Sequence, residues 1–547
     1  MRGKIMRKRF LILLIIAIFT FGLIVGCNNN GTSLPEQAEK ILRIAQGSEP
    51  PALDPAKAND NISLQIGQAL FEGLYRYHNG EYIEGMAKGE PEISEDGLVW
   101  IFHLKDSKWS DGKPVTAHDF EYGWKRLVDP ETGSDSAYKM TEYVAGAMEF
   151  YQGEGSRDDV GVKAINDKTL EVRLVSNTPY FKEIISFGVF LPVREDIIEK
   201  YGDSFATKPE NMVYNGPWVL TKWEHDVELE FEPNENYWNR AAVKLDRVVS
   251  PIISDYTTQV NMFETGDLHM TPLMGEFAVQ YDKEGKAKFI EDGLSISVLL
   301  NKEGFPPFQN ENIRKAFNLA VDRESFINNI YGLPAIPATN LINQAIRGVE
   351  RPFREEFPGD YFSVFDPEKA KELLEKGLEE LGLDKLPKLE LMFLDGGASP
   401  IFAEFLQENY RKNLGAEVIL TPISFEKRME ISMTKEFSAL INPTGPDFDD
   451  PISVLEIWVK DHPYNEVNYN NLAFDKLISQ AKTTQDIKKR MELMADAEKL
   501  LVEDMYIIPI MHNVMGYAIS EGVSNLYLTP WCPDIDWMFG DLEITNN

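Results

Sequence analysis

The chain has 547 residues and only two cysteines, Cys27 and Cys532. Cys27 sits directly behind an apolar run that marks the chain for export, so the body of the protein enters an oxidising space with one cysteine left and no partner for it. The fold must therefore be held by burial of apolar surface. At 43% hydrophobic and 11% aromatic residues the composition permits this. A body of roughly 520 residues exceeds what one core usually serves, so two or three domains are expected.

The export signal is read from three features in order. Arg2, Lys4, Arg7, Lys8 and Arg9 come first, then an apolar run from Phe10 to Val25, then Gly26-Cys27. A run of about 16 residues suits a secretory leader and falls short of the roughly 18 to 20 that span a bilayer. Residues 1–26 are thus expected to be a signal peptide. Leu23-Ile24-Val25-Gly26-Cys27 resembles the lipobox of bacterial lipoproteins, with Ile24 where leucine is usual. That likeness implies cleavage before Cys27, lipidation of its thiol (palmitate) and an extracytoplasmic protein anchored to the outer face of the cell membrane. Asn28-Asn29-Asn30-Gly31-Thr32-Ser33 then reads as a flexible tether, giving 27–34 for the lipidated cysteine and its linker. Losing the leader's five basic residues moves the formal charge from −33 to −38. Such a chain is repelled by nucleic acid and by anionic lipid, so contact with the membrane is expected only through the anchor.

The remainder reads as mixed α/β, with no repeat of 20 to 50 residues and no low-complexity block. Strands are expected at Ile41–Ala45, at 99–105 where Trp100, Phe102 and Leu104 alternate with Val99, Ile101 and His103, at Trp218–Trp223 after the turn Asn215-Gly216-Pro217, and around Val227–Phe231. One helix is bracketed by Asp366 and Pro367 at its start and Gly382 at its end, with Ala370, Leu373, Leu374, Leu378 and Leu381 on one face. A second is expected from about Glu311 to Tyr331, its apolar positions Ile313, Ala316, Phe317, Ala320 and Val321 forming core. The connections at about 129–160 and 333–365 read as surface loops that close one side of a cleft.

Motifs for catalysis are missing. H-E-x-x-H, G-x-S-x-G, G-x-x-x-x-G-K-[ST] and C-x-x-C do not occur, and the seven histidines are isolated from one another in sequence. Neither a metal nor another cofactor is expected, and the chain is not read as an enzyme. The densest local chemistry is Asp447-Phe448-Asp449-Asp450-Pro451. Its spacing is not that of a calcium loop, and two readings stay open: a solvated turn, or a site for a cation or ammonium group.

The segment Trp100 to Pro130 closely resembles the family 5 solute-binding proteins of ABC importers, in particular their oligopeptide-binding branch. The likeness continues through Gly47-Ser48-Glu49, Leu53-Asp54-Pro55, Leu70-Phe71-Glu72-Gly73-Leu74, Asn215-Gly216-Pro217, Gly266-Asp267-Leu268, Ile313 to Arg323 and Ala473 to Ile478. It implies an α/β, two-lobed periplasmic-binding-protein-like fold of type II, in the large three-domain variant with a hinge between lobes. By position, domain I takes 35–62, 190–293 and 514–547, domain II takes 63–189 within the same lobe, and domain III takes 294–513 as the second lobe.

The resemblance further implies a monomeric binding protein that captures short peptides in an interlobe cleft and hands them to permease subunits. The family's partner for a peptide ammonium falls on Asp447, preceded by Thr444 and Gly445. Glu49 matches a residue beside the bound backbone. Tyr122 and Phe425 match aromatic cleft positions, with ordinary core aromatics as the alternative. Pro50, Pro51, Pro443 and Pro446 lack an N–H, so fewer donors are expected to face a ligand backbone. No basic residue at the matched positions would catch a peptide carboxylate. Relatives that bind nickel chelates, haem or oligosaccharides leave another solute as the alternative, and an extracellular hydrolase as a remoter one.

Overall fold

The computed structural model describes residues 39–361, 365–531 and 535–543, so both cysteines lie outside the described residues. The chain enters through β1 (Ile41–Arg43), passes through the helix Asn61–Leu70 and a hairpin of Tyr75–His78 with Glu81–Glu84, and reaches a second sheet built from β2 (Glu92–Ile93), β3 (Val99–His103), β4 (Val162–Asn166) and β5 (Thr169–Arg173). It then returns for β6 (Trp218–Glu224), β7 (Glu228–Pro233) and β8 (Arg247–Pro251), which complete the first sheet in the order β1-β8-β7-β6, with β1 parallel to β8. The second sheet is antiparallel throughout, in the order β2-β3-β5-β4.

A third, seven-stranded sheet carries the chain onward. Its members are β9 (Met270–Leu273), β10 (Ala287–Leu300), β11 (Ile336–Pro337), β12 (Leu389–Leu394), β13 (Val418–Ile423), β14 (Ala439–Thr444) and β15 (Ile507–Ile519). The order is β9-β15-β10-β14-β12-β13, with β11 paired to β15. β10 and β15, of 14 and 13 residues, pair along most of their length. Their one half neighbours β9 and their other half neighbours β14. Between the halves the register shifts, from Glu291 opposite Val514 to Ser295 opposite His512.

Asp292-Gly293-Leu294 forms this bulge. Gly293 has φ +72°, a left-handed conformation that strains any residue with a Cβ, and a Cβ there would stand 2.6 Å from the Pro530 carbonyl oxygen. Asp292 closes the turn by accepting from the Leu294 N–H at 3.0 Å and from the Asn513 side chain on the facing strand.

The blocks that carry the family likeness do structural work here. Asp119 completes a capping box with Thr116 and also accepts from Trp109 Nε1 at 3.2 Å. Trp124 Nε1 donates to the Phe190 carbonyl at 2.7 Å, and Arg126 grips Asp54 with two bonds of 2.6 and 2.7 Å. The Asn215 side chain bonds both the N–H and the C=O of Glu72, at 3.1 and 2.9 Å, and a Cβ on Gly216 would stand 2.6 Å from Leu70 backbone. Glu72 in turn pairs with Arg76, which reaches Asp536 at 3.2 Å, all three buried. Buried charge of this kind is tolerated because each group is matched.

The helix at Pro367–Leu381 is as expected: Asp366 accepts from the Lys369 N–H and Gly382 adopts φ +67° to end it. The long helix expected over 311–331 is not continuous. It stops at Leu319, Asp322 caps a new start by accepting from the Ser325 N–H at 3.0 Å, and residues 327–331 form a π turn. A buried Arg323, bonded to the Pro509 carbonyl and to Asn318 Oδ1, sets this break, because its guanidinium is drawn inward to groups a straight helix would not present. Ile313, Ala316, Phe317, Ala320 and Val321 are all fully buried, as core.

Candidate functional site

β14 is a central strand whose residues Ala439 to Ile441 are buried. Pro443 falls beyond Ala439 and Leu440, the only two residues that pair with the parallel neighbour β12, so its missing N–H breaks no bond of that ladder. Thr444 ends the strand opposite Ser295, buried, its hydroxyl accepting from Asn442 Nδ2 at 3.2 Å. Gly445 packs so closely on Leu294 that a Cβ would stand 2.5 Å from Leu294 Cδ2. The acidic loop is therefore seated directly on the β10 bulge.

Its three carboxylates have different surroundings. Asp450 is buried and held by two bonds, at 2.5 and 2.7 Å, from Arg490, whose guanidinium lies 4.3 Å from the centroid of the Tyr180 ring. That acid is structural. Asp449, also buried, accepts from the Arg347 N–H at 2.8 Å and from Tyr77 Oη at 3.4 Å, while its own N–H donates to Tyr82 Oη at 2.8 Å. Asp447 alone keeps a large share of its side chain, 41%, exposed. Its N–H donates to Ser453 Oγ at 2.7 Å, and its Oδ2 receives the Lys139 ammonium and, at 3.4 Å, Tyr138 Oη.

These contacts belong to a seam where residues 72–187 meet residues 347–490. Tyr143 Oη donates to Glu456 at 2.5 Å, His462 and Glu142 are 3.0 Å apart, and Lys482 bridges Glu142 and Glu456. Arg347 pairs with Glu183, and the Tyr180 and Phe448 rings stack with centroids 6.1 Å apart. A cavity of about 20 Å³, room for about one water, remains among Tyr77, Tyr82, Phe187, Phe448, Trp531, Glu183 and Asp447. The seam is thus closed and walled by aromatic rings, with Tyr77 4.8 Å from Trp531 and 5.0 Å from Tyr82 between centroids.

Burial pushes the Asp449 carboxyl up to about 6, the Arg347 backbone and guanidinium opposing and Asp450 and Glu183 reinforcing the shift. Burial likewise raises Glu183, against the pull of Arg347.

Glu49 and Tyr122 are not among the residues that line this cavity. Glu49 braces the β6–β7 hairpin, accepting from Trp223 Nε1 at 2.7 Å and the Asp226 N–H at 3.0 Å, with His225 at 2.8 Å. Tyr122 lies on the helix Ala117–Leu127 beneath the Arg157 guanidinium, 4.7 Å from its ring centroid, and is partly buried against the core. Phe425 opens the helix Phe425–Thr434, and its side chain lies outside the described residues. Cys27 lies outside them as well. Sequence reasoning missed Lys139, Tyr138, Glu183 and Arg347. Their only signal was position in the two long connections, 129–160 and 333–365 for Lys139, Tyr138 and Arg347, together with a lone cation set between apolar neighbours in Tyr138-Lys139-Met140. Among the described residues no group of three or more His, Cys, Asp or Glu is placed to hold a metal, and no helix is long and apolar enough to cross a membrane.

Residues 81–466 match the model of bacterial extracellular solute-binding proteins, family 5. The chain is a family 5 extracellular solute-binding protein. It is 34% identical to the oligopeptide-binding protein OppA of Bacillus subtilis, over 96% of this chain and 97% of that one, and 32% identical to the dipeptide-binding protein DppE of the same organism, over 93% and 94%. The solved structure of Listeria monocytogenes OppA bound to peptide superposes with a TM-score of 0.80 at 28% identity, over 93% of this chain and all of that one. The solute-binding protein accordingly has the two-lobed α/β fold of its relatives, and it is a binding protein, not an enzyme.

The raised Asp449 carboxyl has a sign that can be checked. Its native value near 6 lies above the ordinary 3.8, so the stability it lends is complete below about pH 4 and is lost as pH rises through 6. Between pH 4 and 7 wild type should lose on the order of 2–3 kcal/mol relative to Asp449→Asn. Urea unfolding at the two pH values measures this, and equal losses in both proteins would contradict it.

Proposed function

We propose that this solute-binding protein is tethered through a lipidated Cys27 to the outer face of the cell membrane, captures short peptides between its lobes and delivers them to the permease of an ABC importer. The observation that carries the reading is Asp447, a half-exposed carboxylate at an aromatic-walled cavity in the seam, already engaged by an ammonium group. The relatives' names, oligopeptide- and dipeptide-binding, support the ligand class.

In this reading a peptide's amino terminus takes Asp447, a charge-assisted contact that contributes roughly 1.5–3 kcal/mol. The peptide lies extended and is held through its main chain, as a strand is added to a sheet edge, so side chains are read loosely. Thr444 and Gly445 form the wall beside the amino terminus, and Pro443 and Pro446 limit how many donors that wall offers. Glu49 and Tyr122 are left out of the ligand shell, because their contacts lie on the β6–β7 hairpin and on Arg157. The β10–β15 pair, with its bulge at Gly293, is the hinge on which 294–513 closes over the rest of the body. A diacylated cysteine, each buried CH₂ contributing about 0.8 kcal/mol, keeps the cleft beside its importer.

Two measurements test these claims. Native mass spectrometry of the protein purified from cells is expected to show a ladder of bound masses matching short peptides. A single discrete non-peptide mass would sink the ligand assignment. For the anchor, wild type should incorporate labelled palmitate and Cys27→Ser should not, the variant appearing in the medium or as uncleaved precursor. Equal labelling of both would remove Cys27 as the lipidated residue.

A further inference from the structure

The Lys139 ammonium occupies an arrangement made for a cation. Its nitrogen is bonded to Asp447 Oδ2, lies 4.4 Å from the centroid of the Phe187 ring and 4.8 Å from that of Tyr138, and only 10% of the side chain is exposed. One carboxylate and two aromatic faces are what an ammonium receptor needs, the ring quadrupoles adding to the charge pair. Asp447 and Phe187 both line the cavity in the seam. Lys139 therefore stands on the wall of the proposed ligand site, with its charge on the group assigned to the ligand.

Its backbone setting allows it to move. The helix Tyr138–Thr141 is a single turn with no side-chain cap, inside the long connection between β3 and β4 of the second sheet. Across the seam the Tyr138 ring rests on Tyr464, at 5.1 Å between centroids, and on His462, at 6.3 Å. The turn thus touches the opposite lobe through Asp447 and through these two rings.

We propose that Lys139 is a tethered ammonium that fills the amino-terminus subsite until a peptide displaces it, and so sets how strongly a free amino terminus is preferred. This rests on the peptide reading given above. Two ammonium groups on one carboxylate oxygen in a part-buried site repel each other, so an arriving amino terminus takes Asp447 only as Lys139 leaves. Binding then exchanges one charge pair for another, and part of the gain from the new contact is offset by the loss of the old one. A peptide whose amino terminus is acetylated brings no charge to make the exchange. The same contact holds the lobes shut in the ligand-free protein.

The proposal is tested with the full mature chain and a randomised tetrapeptide pool, its amino termini free or acetylated, by titration calorimetry. Lys139→Met removes the competitor while keeping the bulk of the side chain. It should bind the free pool about tenfold tighter than wild type and the acetylated pool no tighter, the size of a charge-assisted contact released from competition. Lys139→Arg should behave as wild type. Small-angle scattering without peptide should give a larger radius of gyration for Lys139→Met than for wild type, and Lys139→Gln repeats both readouts should the methionine variant fold poorly. Binding of the free pool by wild type with no gain in either neutral variant would overturn the proposal and leave the peptide reading standing. Failure of all proteins to bind either pool would remove the peptide reading and this proposal with it.

Discussion

Everything at the seam hangs from one pair of antiparallel strands. β10 and β15 run from the neighbourhood of β9 to that of β14, and the acidic loop after β14 is seated on the bulge between their halves. Gly445 against Leu294, and Gly293 against the Pro530 carbonyl and Pro446, leave no room for side chains at the meeting point. The close packing there couples the loop that carries Asp447, Asp449 and Asp450 to the bulge, as the proposed hinge requires. His512, in β15 at the register shift, is bonded to Ser295 Oγ and Asn340 Oδ1. Burial lowers its ring to about 3, so it stays neutral there over the working range of pH.

The strongly acidic composition and the buried charge pairs serve different ends. Arg76 with Glu72 and Asp536, Arg126 with Asp54, and Arg490 with Asp450 join segments far apart in the chain and have little solvent around them. Truncating one partner would strand a buried charge, so these contacts fix which segments meet more than they add net stability. At the seam, Asp447 remains part-exposed and is the carboxylate there that an exchange of partners would cost least.

Much of the fold was legible. The Asp366-Pro367 start and Gly382 stop defined a helix to within a residue, because capping is local chemistry. The alternation at 99–103 and the turn at Asn215-Gly216 likewise reported local rules. The break between Leu319 and Arg323 was not legible, since its cause is Arg323 reaching Pro509, 186 residues away in sequence. The site divides in the same manner. Asp447 was picked out by resemblance to a known motif, whereas its partner Lys139 lies 308 residues earlier in a segment with no periodicity. Glu49 and Tyr122 matched family positions in sequence, yet a hairpin and an arginine take up their side chains.

The central claim is that Asp447 reads the amino terminus of a peptide. Calorimetry on wild type and Asp447→Asn, with one co-purified peptide resynthesised in free and N-acetylated forms, tests it most directly. The account predicts that the variant binds the free peptide tenfold or more weakly and no longer distinguishes the two forms. Equal affinity of wild type and variant for the free peptide would contradict it.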